Sequence, residues 1–230
     1  GERLSGDKTY GQSPVAFWLF GVGCLNSFTN YVHHTYHLPQ TDVVKWVAFL
    51  VSMAEVIILL KLMLDMAKIL KSRDGGAPFC GRAGWLGMAK WWTIGMLFSS
   101  IVISWPPFNT LIHGTQLVMG HAMGATVGID TLVLLGTASW LVVELRGSSA
   151  LPRINAGLTK KCIWLISGSL AVMVIWLSAA GYVHGSSRYN GESTPHWVSG
   201  SRWLLPVAGS LLGLGLVVAT ARLLSMVRSK

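Results

Sequence analysis

Six apolar segments, joined by short polar connections, dominate the chain and restrict the folds open to it. An apolar run of about twenty residues matches the thickness of a bilayer and reads as a membrane-spanning helix. The segments fall at about 14–32, 41–70, 88–104, 109–144, 161–182 and 203–224. With 52% hydrophobic and only 12% charged residues, the chain is a membrane protein and not a soluble domain. The spacing predicts an all-α protein of six transmembrane helices forming a single membrane domain over 1–230. Ser13-Pro14 starts the first helix as cap and first-turn residue, and Trp105-Pro106-Pro107 stops the third. The second is longer than a bilayer needs and is expected to tilt or project into water.

The formal net charge of +9 would suggest nucleic acid in a soluble protein. Here the cations sit between apolar runs, so they set topology and no nucleic-acid partner is expected. Lys68, Lys71, Arg73, Arg82 and Lys90 surround the second connection; Arg146, Arg153, Lys160 and Lys161 surround the fourth; Arg222, Arg228 and Lys230 end the chain. The odd-numbered connections hold only Lys45, Arg188 and Arg202. This asymmetry puts both termini in the cytoplasm. Trp46, Trp105, Trp197 and Trp203 would mark the outer interface, and Trp85, Trp91, Trp92, Trp140 and Trp164 the inner one. Cys24, Cys80 and Cys162 suggest no disulfide framework. Gly1 stands without Met or a signal-peptide pattern, which fits a processed start or a missing upstream portion.

Three places concentrate chemistry. The stretch Asn109 to Gly124 carries His113, His121 and Met123 inside an apolar run. On one helix His113 and His121 would lie about 80° apart around the axis, and Met123 about 160° from His121. Ionisable side chains at membrane depth are costly and usually functional, so imidazole and thioether could each hold an iron; a packed His and a core Met are the alternative. The first outer connection reads Asn30-Tyr31-Val32-His33-His34-Thr35-Tyr36-His37-Leu38-Pro39. Adjacent residues on a helix do not face one point, so His33 and His34 could share a metal only where the backbone leaves helical geometry. Otherwise they form an exposed interfacial cluster. Glu55 lies thirteen residues past Asp42, about 20 Å along the second helix and near mid-membrane, where a carboxyl suits a proton donor or a partner of a metal. Lys61 and Asp65 are spaced to pair with each other. Asp130 is a further intramembrane acid with no evident partner. Gly120, Gly124 and Gly128 recur every fourth residue and would admit another helix, or a flat macrocycle, at close range.

Together these segments resemble the heme-copper oxidase superfamily, most closely the large catalytic subunit of bacterial nitric oxide reductases. The resemblance rests on His33-His34, on Ser52-Met53-Ala54-Glu55, on Thr110 to Met123, and more weakly on Leu177-Ser178-Ala179-Ala180-Gly181. Their order and spacing match the seventh to eleventh spans of that twelve-span family. The resemblance implies the C-terminal half, spans seven to twelve, of a twelve-helix bundle in a bacterial cytoplasmic membrane. It implies that His33 and His34 ligate a non-heme metal, iron or alternatively copper, and that His121 is the proximal ligand of a high-spin heme b. It further implies that His113 lies near heme propionates and Glu55 beside the non-heme iron.

The sequence departs from the family at Met123, which stands where relatives carry the second His of His-x-His, the ligand of a low-spin heme b. Met is itself an axial ligand, and it raises the potential relative to bis-His. That heme is therefore His/Met ligated, or its site is altered or empty. The third non-heme ligand and the other low-spin ligand belong to family spans outside this sequence. The chain is thus expected to be half of a split catalytic subunit, completed by a second membrane chain carrying the N-terminal half. The implied reaction reduces two NO with two electrons and two protons to N2O and water, drawing electrons from a cytochrome c-type or quinol donor. An oxygen-reducing relative with copper, and a non-catalytic scaffold of an electron-transfer complex, are the alternatives.

Overall fold

The computed structural model describes residues 9–33, 35–36, 38–72, 84–147, 150, 154 and 157–228; the side chains at 10, 26–33, 55 and 66–72 lie outside that description. The described residues are helical throughout: α1 is Pro14–His33, α2 Asp42–Ser72, α3 Trp85–Ser104, α4 Pro106–Ile112, α5 Gln116–Arg146, α6 Gly157–Asn190, α7 His196–Gly200 and α8 Leu204–Arg228. Five stretches are long and apolar enough to cross a membrane: Asp42–Asp65, Trp85–Ser104, Gln116–Arg146, Gly157–Asn190 and His196–Arg228. A shorter apolar helix covers Pro14–Leu25. The protein is therefore an all-α, multi-span membrane protein.

The chain divides into two compact units. One comprises Gly1–Gly76 with Leu97–Gly114, the other Ala77–Met96 with Thr115–Lys230. In the first, α1 packs along α2, and α4 touches α2. The connection between α1 and α2 is tied down by Tyr36, whose hydroxyl donates to the Lys45 carbonyl at 3.0 Å. Gln40 Nε2 donates to the Thr35 carbonyl at 3.1 Å and to its hydroxyl at 2.6 Å. The α3 helix stops where the prolines require it. Pro106 opens α4, and Asn109 Nδ2 donates at 2.8 Å to the carbonyl of Ile103, one of the last-turn groups left without an intrahelical partner.

The segment read as one helix over 109–144 is two. Residue His113 caps α4 with ψ 132°, Gly114 takes φ +74°, and Thr115 caps α5, its hydroxyl accepting from Leu117 N. Only glycine adopts such a positive φ without a steric penalty. His113 and His121 consequently do not share a helix, and the angle between them expected from a continuous cylinder does not apply.

In the second unit, α5 packs on α6, and α6 on α8. The core gathers Trp85, Leu132, Leu135, Ile163, Ile166, Leu170 and Leu212. Trp85, expected at the membrane interface, is instead only 2% exposed and belongs to this core, whereas Trp91 and Trp164 do project outward. Residues Thr126–Thr131 of α5 form a π turn, with the Thr131 hydroxyl reaching the Thr126 carbonyl at 3.1 Å. An α-helix drifts about 40° every four residues, so contacts at 120, 124, 128 and 132 would spiral off one face. The π turn takes in an extra residue and returns the stripe to its partners.

Glycine contacts govern this packing. A Cβ on Gly120 would meet Leu177 at 3.1 Å, one on Gly124 the Met96 sulfur at 2.3 Å, and one on Gly128 the Trp92 ring at 2.5 Å. At Gly181 of α6 it would meet the backbone nitrogen of Leu117 at 2.1 Å, a neighbour that no side-chain rotation can move. Gly181→Ala should therefore force α5 off α6 and destabilise the protein by about 1–3 kcal/mol or more. Gly168→Ala, where nothing lies within 4 Å, should be neutral or slightly stabilising. Thermal unfolding of the two variants in detergent checks the contrast.

Candidate heme and metal site

The residues singled out by sequence fall in both units, and the geometry of each is described within its own. In the second unit, His121 and Met123 lie on the first turns of α5. The position of this helix is set at its start. Gly181 admits the backbone of Leu117, Gly120 lies against Val174, Leu177 and Ser178, and Gln116 Oε1 is 3.2 Å from His184 Nδ1. The run Leu177-Ser178-Ala179-Ala180-Gly181 is thus the seat on which the His121 helix rests; Ala180 is fully buried there.

His121 is partly exposed on α5. Two residues of helix turn Met123 about 200° away from it. Met123 packs against two apolar clusters, the Trp85–Leu170 core and the cluster of Trp176, Leu177, Ala180 and Val198. The glycine stripe offers no slot for a macrocycle, because Leu177, Met96 and Trp92 already fill it. Of the two readings of that stripe, helix packing is the one the contacts show.

In the first unit, His33 is the last residue of α1, but its side chain and all of His34 lie outside the described residues. The six residues that follow include the Tyr36 and Gln40 anchors. Gln40 Oε1 is buried and accepts no hydrogen bond among the described residues. Glu55 occupies α2, seven residues and about two turns beyond buried Ala48, but its carboxyl lies outside the described side chains. His113 is partly exposed at the C-cap of α4. Among the described residues no three His, Cys, Asp or Glu side chains converge.

His184 was not picked out by sequence. It lies beyond the apolar window expected for its helix, which ends near residue 182 by composition but runs to Asn190 in the structure. The signal available was its position three residues after Gly181, one turn along α6.

A multi-span helical membrane protein with an imidazole inside a span has the means to hold a redox cofactor between helices. Residues 3–211 match the family described as Cytochrome C and Quinol oxidase polypeptide I. The chain belongs to that family and is a membrane redox protein of the heme-copper oxidase superfamily. No curated protein matches it.

The superfamily implies heme and metal cofactors, and the residue types present are ones that can hold them. His121, partly exposed on α5, is an imidazole of the kind that ligates heme axially. Gln40 Oε1, six residues after His34 and buried without a donor among the described residues, is an acceptor of the kind that takes the distal N–H of a metal-bound imidazole.

The Tyr36 anchor of the His33-His34 connection can be titrated. Burial pushes its phenol up to about 12 from the usual 10. The folded state thus favours the protonated phenol, so its contribution is intact below about pH 10 and is lost as pH rises from there through about 12. Tyr36→Phe should cost about 0.5–1.5 kcal/mol at neutral pH, the worth of one hydrogen bond. Its deficit relative to the parent should shrink across that alkaline window, as read from paired unfolding curves.

Proposed function

We propose that this chain is the C-terminal half of a nitric oxide reductase-like catalytic subunit in the bacterial cytoplasmic membrane. In this reading six spans, with both termini cytoplasmic, form half of a twelve-helix bundle. The observation that carries it is the partly exposed His121 on a helix fixed by its glycine seat, in a chain of the oxidase polypeptide I family that also holds His33-His34 and Glu55.

His121 would hold the iron of a high-spin heme b. His33 and His34 would hold a non-heme iron, with copper as the alternative because neutral imidazole suits both. A metal pair of this kind supplies two coordination sites at which two NO can be brought together. The protein's own part is to fix the imidazoles, exclude water and deliver protons. Glu55 is the residue assigned to protons, as a carboxyl carried on the second span. His113, at the cap of α4, is assigned to the propionates, where an imidazole N–H can donate to a carboxylate. The remaining ligands are assigned to the N-terminal half of the fold, and the electrons to a cytochrome c-type or quinol donor.

Metal and heme analysis of the purified complex tests this assignment. His33→Ala and His34→Ala should each lose the non-heme metal and keep the high-spin heme. His121→Ala should lose that heme, because its proximal ligand holds it in place. Unchanged contents in all three would leave the non-catalytic scaffold standing. Iron in the non-heme site with NO consumption supports the reductase, whereas copper with O2 consumption identifies the oxygen-reducing alternative.

Met123 is assigned to a low-spin heme b as its axial ligand. Its contacts with the two apolar clusters hold the thioether in place but are equally those of a core methionine. Met123→Leu separates the two. Ligation predicts loss of the His/Met near-infrared band and a changed potential, and Met123→His should lower that potential, since imidazole favours ferric iron over thioether. A wild type without the band, and a Met123→Leu variant with unaltered spectrum and potential, would make Met123 a packing residue.

A further inference from the structure

Asp130 is the intramembrane acid that the functional reading leaves unused. It lies fourteen residues from the start of α5 at Gln116 and sixteen from its end at Arg146, about 21 and 24 Å along the axis. That places it near the middle of a span. Its side chain is exposed, and it takes part in no hydrogen bond or ion pair among the described residues. A carboxyl facing lipid at this depth is strongly disfavoured.

The helix cannot turn it inward. Gly124 and Gly128 are held under Met96 and Trp92, Leu132 is fully buried, and the π turn fixes the register between them. The hydroxyls beside Asp130 are also committed. Thr126 donates to the Ala122 carbonyl at 2.9 Å, and Thr137 to the Val133 carbonyl at 2.9 Å. Unlike Lys or Arg, Asp has too short a stem to reach the headgroups. The chain's own cations on the Asp42–Asp65 span are engaged with neighbours: Lys45 lies 3.8 Å from Asp42, and Lys61 pairs with Asp65. The exposed face around Asp130 combines small and polar positions, Ala122, Thr126 and Thr137, with Val133. Small and hydroxyl-bearing residues are what helix–helix interfaces in membranes use for close approach.

We infer that this face of α5 is a docking surface for a membrane-spanning helix of a partner chain, one that brings a Lys, Arg or His to mid-bilayer depth against the Asp130 carboxylate. The positive charge is what makes the acid tolerable there, and the Ala122, Thr126 and Thr137 positions let the partner backbone come near. This surface does not depend on any heme assignment.

The test uses the full complex in native membranes, with a photoreactive phenylalanine analogue placed at Val133 or at Thr137, and at Ile175 of α6 as a lipid-facing control. Both α5 positions should cross-link to one helix of a different polypeptide, and peptide sequencing should find a Lys, Arg or His within it. Ile175 should label lipid. Asp130→Leu, benign for folding if the face meets lipid, should abolish the protein adduct, while Asp130→Glu should keep it. Adducts with lipid only, with this chain itself, or with a helix lacking a basic residue would each overturn the proposal. So would an adduct that persists in Asp130→Leu. Heme content is measured on the same samples, so loss of the adduct with heme retained separates this surface from the cofactor reading.

Discussion

The close backbone approach of α5 to α6 at Gly181 and Leu117 is the contact on which the second unit depends. Lipid chains are as apolar as leucine, so helices in a bilayer gain little from hiding apolar surface from each other. Their association relies on packing, and packing improves as backbones near. The sequence supplies glycines where this happens: Gly120 and Gly181 between α5 and α6, Gly124 and Gly128 between α5 and α3, Gly215 of α8 against Ile166 of α6. These contacts fix both the depth and the rotation of α5. Everything that α5 carries, from His121 to Asp130, is aimed by them.

The five long apolar helices were legible because length and hydropathy are set by the bilayer's thickness, and the stop at Trp105-Pro106-Pro107 because proline has no N–H to give. What hydropathy does not register is backbone direction. His113-Gly114-Thr115-Gln116 sits in an apolar run, yet Gly114 at φ +74° turns the chain and Thr115 restarts a helix. A Gly followed by Thr can stop one helix and cap the next, a signal that the surrounding apolar run conceals. The π turn emerges with the contacts: a stripe at 120, 124, 128 and 132 exceeds the 3.6-residue period, and an extra residue keeps it on one face.

The site was legible as residue types in order, and less so as an arrangement. His121 and Met123 keep the opposed directions that helical geometry demands, because they share a helix. His113 does not share it, and its relation to His121 could not be obtained by counting residues. The glycine stripe admitted two occupants from sequence, since a flat ring and a helix both need a surface without Cβ atoms. Only the side chains of Met96 and Trp92, brought from a helix some thirty residues upstream, decide between them. Trp85 illustrates the same limit: an indole near a span's end is equally an interfacial anchor or a core residue, and what decides is the helix that covers it.

The polar groups inside the spans divide by how they meet the bilayer. Several hydroxyls are satisfied within their own helix: Thr93 donates to Ala89, Ser139 to Leu135, Ser169 to Leu165, each at four residues' distance. They cost the membrane little and call for no partner. Lys61 and Asp65 neutralise each other one turn apart. Asp130 has no such local remedy: it meets no hydrogen-bond donor or cation among the described residues. An exposed carboxyl at mid-span therefore calls for something beyond its own helix, a proton or an opposing cation. That requirement separates Asp130 from the hydroxyls and from the Lys61–Asp65 pair, and it marks a place where α5 is incomplete as a lipid-bathed helix.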